Sequence, residues 1–247
     1  MIHQITRTGR GLVQTTRSFV AYLRCPALDR AQGPLPRPWI VWLGLFALSV
    51  IITSLFALLT LPTAIPNEVA PGSPLQQTLS QSILPVIVSI VITGPLIEEI
   101  MFRGWLSGAW NAIVACLLFL AIFYGSAPFL ASLMSLPLYL AQLVAAGLGI
   151  GAMQLLSPLD AGRRLPYFEK AFPYIFWAQG IVFGVLHTRN VASEVSIGAL
   201  IHTLPLILCA WLWGYARIVL NLRSAVLLHS AFNFLAIAGM VMVRLSG

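Results

Sequence analysis

The sequence predicts an all-α fold: a polytopic helical membrane protein with about seven transmembrane helices. Three observations carry this. Hydrophobic residues make up 59% of the chain and charged ones 9%, with a mean hydropathy of +0.90, whereas a soluble domain has about 25% charged residues. Apolar runs of about 20 residues, long enough to cross a bilayer as a helix, recur along the chain. Six of the fourteen basic residues (Arg7, Arg10, Arg17, Arg24, Arg30 and Arg37) precede the first run, with only Asp29 against them. The positive-inside rule reads that as a cytoplasmic N-terminus. A β-barrel would show short alternating segments instead. A nucleic-acid role for the net charge of +7 lacks a soluble domain to carry it.

The elements follow in order. Residues 1–38 read as a basic cytoplasmic arm and 39–247 as a single transmembrane domain. In the arm, Arg7, Arg10, Arg17 and Arg24 share one side of a helical wheel, with Ile5, Leu12, Phe19 and Leu23 roughly opposite. That pattern suits a helix on an anionic leaflet; a disordered basic tail is the alternative. The first apolar run begins near Trp39, too late and too long for a signal peptide. Seven spans are expected at about 39–61, 80–105, 109–125, 129–156, 171–188, 196–218 and 224–244.

The connections give an orientation. The linker "PTAIPNEVAPGSP", Pro62 to Pro74, carries only Glu68 and suits the external side. "SPLDAGRRLPYFEK", Ser157 to Lys170, and "RIVLNLR", with Arg217 and Arg223, suit the cytoplasm. Seven spans put these basic segments on the side of the N-terminus; Arg244 falls on the other. Cys25, Cys116 and Cys209 form no C-x-x-C. They read as small buried hydrophobes rather than a disulfide framework or a metal site.

An ionisable residue inside a span costs about 2.5–3.5 kcal/mol on insertion scales, so each is a candidate for function. The candidates are Glu98, Glu99, Arg103, His187, His202 and His229, with Asn233 as a polar companion. Glu99 and Arg103 are four apart and can pair along one helix face. Glu98 points about 100° away from Glu99 and is left to face an interior cavity. A solvated helix end at the interface would also explain all three.

Phe183 and His187 share a face at i,i+4, as do His229 and Asn233. His202 has no such companion and reads as structural. A lone histidine or amide in a span is also satisfied by a single interhelical hydrogen bond. Taken together, a carboxylate, a histidine and a histidine–amide pair on three spans supply a base, its partner and donors for an oxyanion. Peptide hydrolysis by an activated water needs that set. H-E-x-x-H is absent, which removes the zincin arrangement. The only aspartates, Asp29 and Asp160, lie in expected cytoplasmic segments, which removes an aspartyl dyad. No G-x-S-x-G occurs, which weakens a serine nucleophile.

E-E-x-x-x-R in "EEIMFRGWL", F-x-x-x-H in "FGVLH" and H-x-x-x-N in "HSAFN" together resemble, in order, the motifs of the CPBP (Abi) family of intramembrane proteases. That family includes the type II CAAX prenyl endopeptidases and proteins linked to bacteriocin processing or immunity. The resemblance covers about Val91–Trp105 and Trp177–Leu235. It implies that Glu98 activates the attacking water and His187 helps to hold it. His229 and Asn233 would stabilise the oxyanion, Glu99 and Arg103 would support the first motif, and Phe183 would pack. It implies a glutamate-driven hydrolysis with no metal or other cofactor, acting on a membrane-associated or prenyl/CAAX-like peptide. The expected setting is a multi-pass protein of a bacterial inner membrane whose partners are that substrate and the lipid bilayer, with no nucleic acid.

One departure stands out. Glu98 and His187 are 89 residues apart, where the family's interval is a few tens. The extra length holds a helix pair at about 109–156, an even number that keeps downstream helices in orientation. Simple counting still sets Glu98 nearer the cytoplasmic end than His187, by up to ~15 Å. Two other readings stay open: a zinc hydrolase liganded by Glu98, His187 and His229, and a non-catalytic immunity or scaffold protein that keeps these residues for folding.

Overall fold

The structure is a computed structural model that describes residues 2–28, 37–60, 83–156, 163–190 and 197–246. The Pro62–Pro74 linker, Asp29, Arg30 and Asp160 lie outside the described residues. Regular structure among the described residues is helical: α1 (Ile2–Arg24), α2 (Pro38–Thr60), α3 (Ile83–Gly104), α4 (Trp110–Leu133), α5 (Leu138–Leu156), α6 (Phe168–His187), α7 (Ile197–Val219) and α8 (Leu222–Ser246).

Helices α2 to α8 stand where the seven apolar runs predicted them. Among the described residues, however, four rather than seven are long and apolar enough to cross a bilayer: α2 over Pro38–Leu59, α3, α4, and α5 over Leu138–Leu155. Helix α6 opens with Glu169 and Lys170, which lower its hydropathy, and α8 is apolar over the shorter stretch Leu222–Ala238. The first of the paired extra helices is also longer than expected. "GSAP", Gly125 to Pro128, reads as a break, yet α4 runs on through Pro128 to Leu133. A proline is tolerated inside a membrane helix when its surroundings satisfy the freed carbonyl. The chain turns instead at "MSLP", where Ser135 takes φ 50°. Pro137 then opens α5, its carbonyl accepting from the N–H groups of Leu140 and Ala141, at a position where its fixed φ suits a helix start.

The chain divides into two packed units, one formed by segments 1–80 and 171–232, the other by 81–170 and 233–247. In the first, α1 packs on α2 and reaches α7. The basic arm is therefore a helix seated on its neighbours, and its buried face is not quite the leucine face of the wheel. Thr15, Phe19 and Tyr22 are buried, whereas Leu12 and Leu23 are only half-buried. Tyr22 lies against Phe176 of α6 and Tyr215 of α7 at 5.2 and 5.0 Å between ring centroids. Burial pushes its phenol pKa above the ordinary range.

Helices α6 and α7 approach through glycines. A Cβ on Gly180 would meet the Trp211 ring at 2.3 Å, and one on Gly184 would meet Ile207 at 2.2 Å. Small residues of this kind let membrane helices pack backbone to backbone. The Trp211 indole donates to the Trp177 carbonyl at 3.1 Å across the same seam, and Trp42 of α2 donates to the Ser224 carbonyl of α8 at 3.1 Å.

In the second unit α4 and α5 form the main helix pair, flanked by α3. The turn before α4 is bonded to the strand-like segment before α6. Trp110 N–H donates to the Arg163 carbonyl at 3.1 Å, and Leu165 N–H to the Gly108 carbonyl at 2.9 Å. Both segments therefore sit at one end of this unit. Cys116 and Cys209 are buried small residues as expected; Cys25 is exposed instead.

Candidate functional site

Helix α3 carries the two glutamates and is not a uniform α-helix. It widens to π geometry over Ile87–Thr93 and again over Ile100–Gly104. The first widening has a cause in the sequence. Pro95 has no N–H to donate and cannot close an ordinary turn. Gly94 instead donates its N–H to the Ser89 carbonyl, five residues back. A Cβ at position 94 would sit 2.7 Å from that oxygen, so glycine is required there. The Ile90 carbonyl thereby loses both helical donors, since Gly94 bonds elsewhere and Pro95 has none. Asn233 fills the gap: its side-chain amide donates to the Ile90 carbonyl at 2.9 Å.

That pairing predicts a coupled effect. Asn233→Ala should lower stability by about 1–2 kcal/mol, the cost of a stranded carbonyl or a lost interhelical bond. In a Pro95→Ala background, the new N–H can reach Ile90 in the same π register. The cost of Asn233→Ala should then fall to less than half, measured as thermal midpoints in a double-mutant cycle. Additive effects would contradict the assignment.

Glu99 and Arg103 form an ion pair along α3, and both side chains are fully buried. This removes the solvated-end reading for the pair. The second π segment begins directly after Glu99 and contains Arg103; such widenings are frequent at functional sites. Glu98 is half-buried, with one carboxylate oxygen shielded from solvent.

The first unit brings three of the predicted residues together and adds a fourth. Phe183 is the centre, buried to 1% exposure. The His187 ring stacks on it at 4.2 Å between centroids, and the His229 ring meets it edge-on at 6.0 Å. Trp213 of α7, fully buried, stacks on His229 at 3.8 Å. Trp213 went unnoticed in the sequence because "WLWGYA" offers no spacing that marks one tryptophan as an imidazole partner. The antiparallel α6–α7 seam reveals it.

His187 is the last residue of α6, and its Nδ1 lies 2.8 Å from the Phe183 carbonyl. A carbonyl only accepts, so Nδ1 donates to it, and in a neutral ring the lone pair is then on Nε2. That is the tautomer able to accept a hydrogen from a water. His229 is 3% exposed and lies one turn before Asn233 on α8. His202 is half-buried on α7. The carboxylates and Asn233 belong to the second unit, the imidazoles to the first. Among the described residues, no group of three His, Cys, Asp or Glu side chains forms a metal cage.

These features define the class: an all-helical, membrane-embedded protein with ionisable and imidazole groups buried on its helices. Comparison with protein-family models, curated proteins and solved structures returned no match.

Proposed function

We propose that the chain is a multi-pass membrane endopeptidase with a cytoplasmic N-terminus, set in a bacterial inner membrane. It hydrolyses a peptide bond of a membrane-associated or prenyl/CAAX-like substrate. Glu98 takes a proton from water as it attacks the scissile carbonyl, and His187 Nε2 helps to hold that water. His229 and Asn233 donate to the oxyanion, and the proton passes from Glu98 to the leaving amine. Water supplies the new carboxylate oxygen, so the step balances without a metal.

The observation that supports this reading best is the hydrogen bond that orients His187 through Nδ1, because a holder of water needs one ring nitrogen oriented and the other turned to the water. The three ordered motifs in an apolar chain support it from the sequence. The second reading, a non-catalytic immunity or scaffold protein, draws on the structural duties of Asn233 toward Ile90 and of the Glu99–Arg103 pair.

Two experiments bear on the proposal. Purified protein in lipid nanodiscs, given a library of membrane-anchored peptides in ¹⁸O-water, should produce cleaved peptides with the label in the new carboxylate. Absence of any cleavage across prenylated and unprenylated peptides would favour the scaffold. For orientation, single cysteines at positions 163 and 223 in intact cells should resist an impermeant thiol reagent, and one in the Pro62–Pro74 linker should react. Labelling of position 163 from outside would overturn the seven-span arrangement.

A further inference from the structure

The turn before α4 and the segment before α6 form a clasp with features that the peptidase reading does not use. Its underside is closed. Gly108 takes φ 69°, and a Cβ there would lie 2.3 Å from the Phe168 ring, which in turn meets Trp105 edge-on. Its outer side is open and of one character. Arg163, Arg164 and Lys170 are exposed, against one carboxylate among the described residues here, that of Glu169, which pairs with Arg164. Trp110 is 46% exposed and Tyr167 78%.

Tyr167 is the informative residue. It takes φ 61°, a left-handed conformation that a bulky side chain adopts only at a cost. The strain gains no packing for its ring, which points outward beneath the Lys170 ammonium at 5.7 Å from the ring centroid. That exposure leaves the ring available to a group outside the protein.

The depth of the clasp bears on what that group is. Helix α4 has 24 residues and is about 36 Å long at 1.5 Å per residue, more than the roughly 30 Å hydrocarbon core. A helix of that length can reach headgroup level at its ends, where tryptophan and tyrosine concentrate, and Trp110 is its first residue. The bridge between Ala109 and Arg164 pins the basic residues at the same level. Guanidinium groups match phosphate oxygens in fork geometry.

We propose that this clasp is a binding site for the phosphodiester headgroup of an anionic phospholipid, with Arg163, Arg164 and Lys170 on the phosphate and Trp110 and Tyr167 on the glycerol and upper acyl region. The site holds the lipid bilayer at one end of the second unit and is independent of any activity at Glu98.

The test uses the full chain purified in a neutral detergent. Phosphatidylglycerol and phosphatidylcholine are titrated, and bound lipid is counted by native mass spectrometry. Phosphatidylglycerol should bind at least tenfold more tightly. Arg163→Gln/Arg164→Gln/Lys170→Gln should weaken it by about fivefold per charge removed, the size expected of a basic residue near an anionic surface. Arg163 joins the clasp through its carbonyl, and its side chain is exposed, so Arg163→Gln alone should keep the fold and still weaken binding. Arg163→Lys/Arg164→Lys should retain most of it. Equal binding of the two lipids, or undiminished phosphatidylglycerol binding by Arg163→Gln, would overturn the proposal. Displacement of the lipid by inorganic phosphate would assign the site to a free anion instead.

Discussion

Glu99→Gln is expected to leave little folded protein, losing about 3–5 kcal/mol, the usual cost of breaking a buried ion pair. Both side chains of the Glu99–Arg103 pair are fully buried, and Arg103 lies in a stretch where the backbone has already departed from α geometry. Removing the carboxylate's charge leaves a buried guanidinium, which cannot shed its proton. Arg103→Met should be milder, because the remaining carboxyl can become neutral by taking up a proton. The double variant Glu99→Gln/Arg103→Met should recover most of the loss, since replacing both members of a buried pair by groups of similar shape is often near neutral. Size-exclusion profiles and thermal midpoints of the three variants check this. A double variant as poor as Glu99→Gln would show that the pair is not the source of the stability.

The helices were legible in the sequence for a simple reason. A bilayer demands long apolar runs, and long apolar runs are visible. Their ends were less so. "GSAP" carries both helix breakers and yet stays helical, while "MSLP" makes the turn; neighbouring helices decide such contests, and their positions are not written in any one run. The Glu99–Arg103 pairing followed from i,i+4 spacing, but its complete burial did not, because a charged pair near a span's end looks the same whether solvent or protein covers it.

Asn233 is the instructive case. Its i,i+4 relation to His229 was plain, and the possibility of a single interhelical bond was plain too. Its partner, the Ile90 carbonyl, becomes predictable only once Pro95 is seen to push α3 into π geometry and strand that oxygen. Trp213 escaped altogether. Stacking on His229 is a tertiary fact, and no period on α7 distinguishes it from Trp211. Phe183, expected only to pack, proved to be the residue around which both imidazoles gather.

The largest effect on activity should come from Glu98→Gln, with cleavage down by about 10²–10⁴, the range for loss of a general base. The amide keeps the shape of the side chain but cannot take the proton of the attacking water. Glu98 is half-buried and the substitution keeps its size, so the variant should still insert and purify folded. His187→Ala should lose activity on a similar scale by removing the second holder of water. The direct measurement is peptide cleavage by purified Glu98→Gln beside the unaltered chain, at matched folded concentration, with and without a chelator. The account predicts cleavage by the unaltered chain whether or not chelator is present, and none above background by Glu98→Gln. Cleavage by Glu98→Gln at the unaltered rate would contradict it, and activity abolished by chelation and restored by zinc would replace the glutamate mechanism with a metal one.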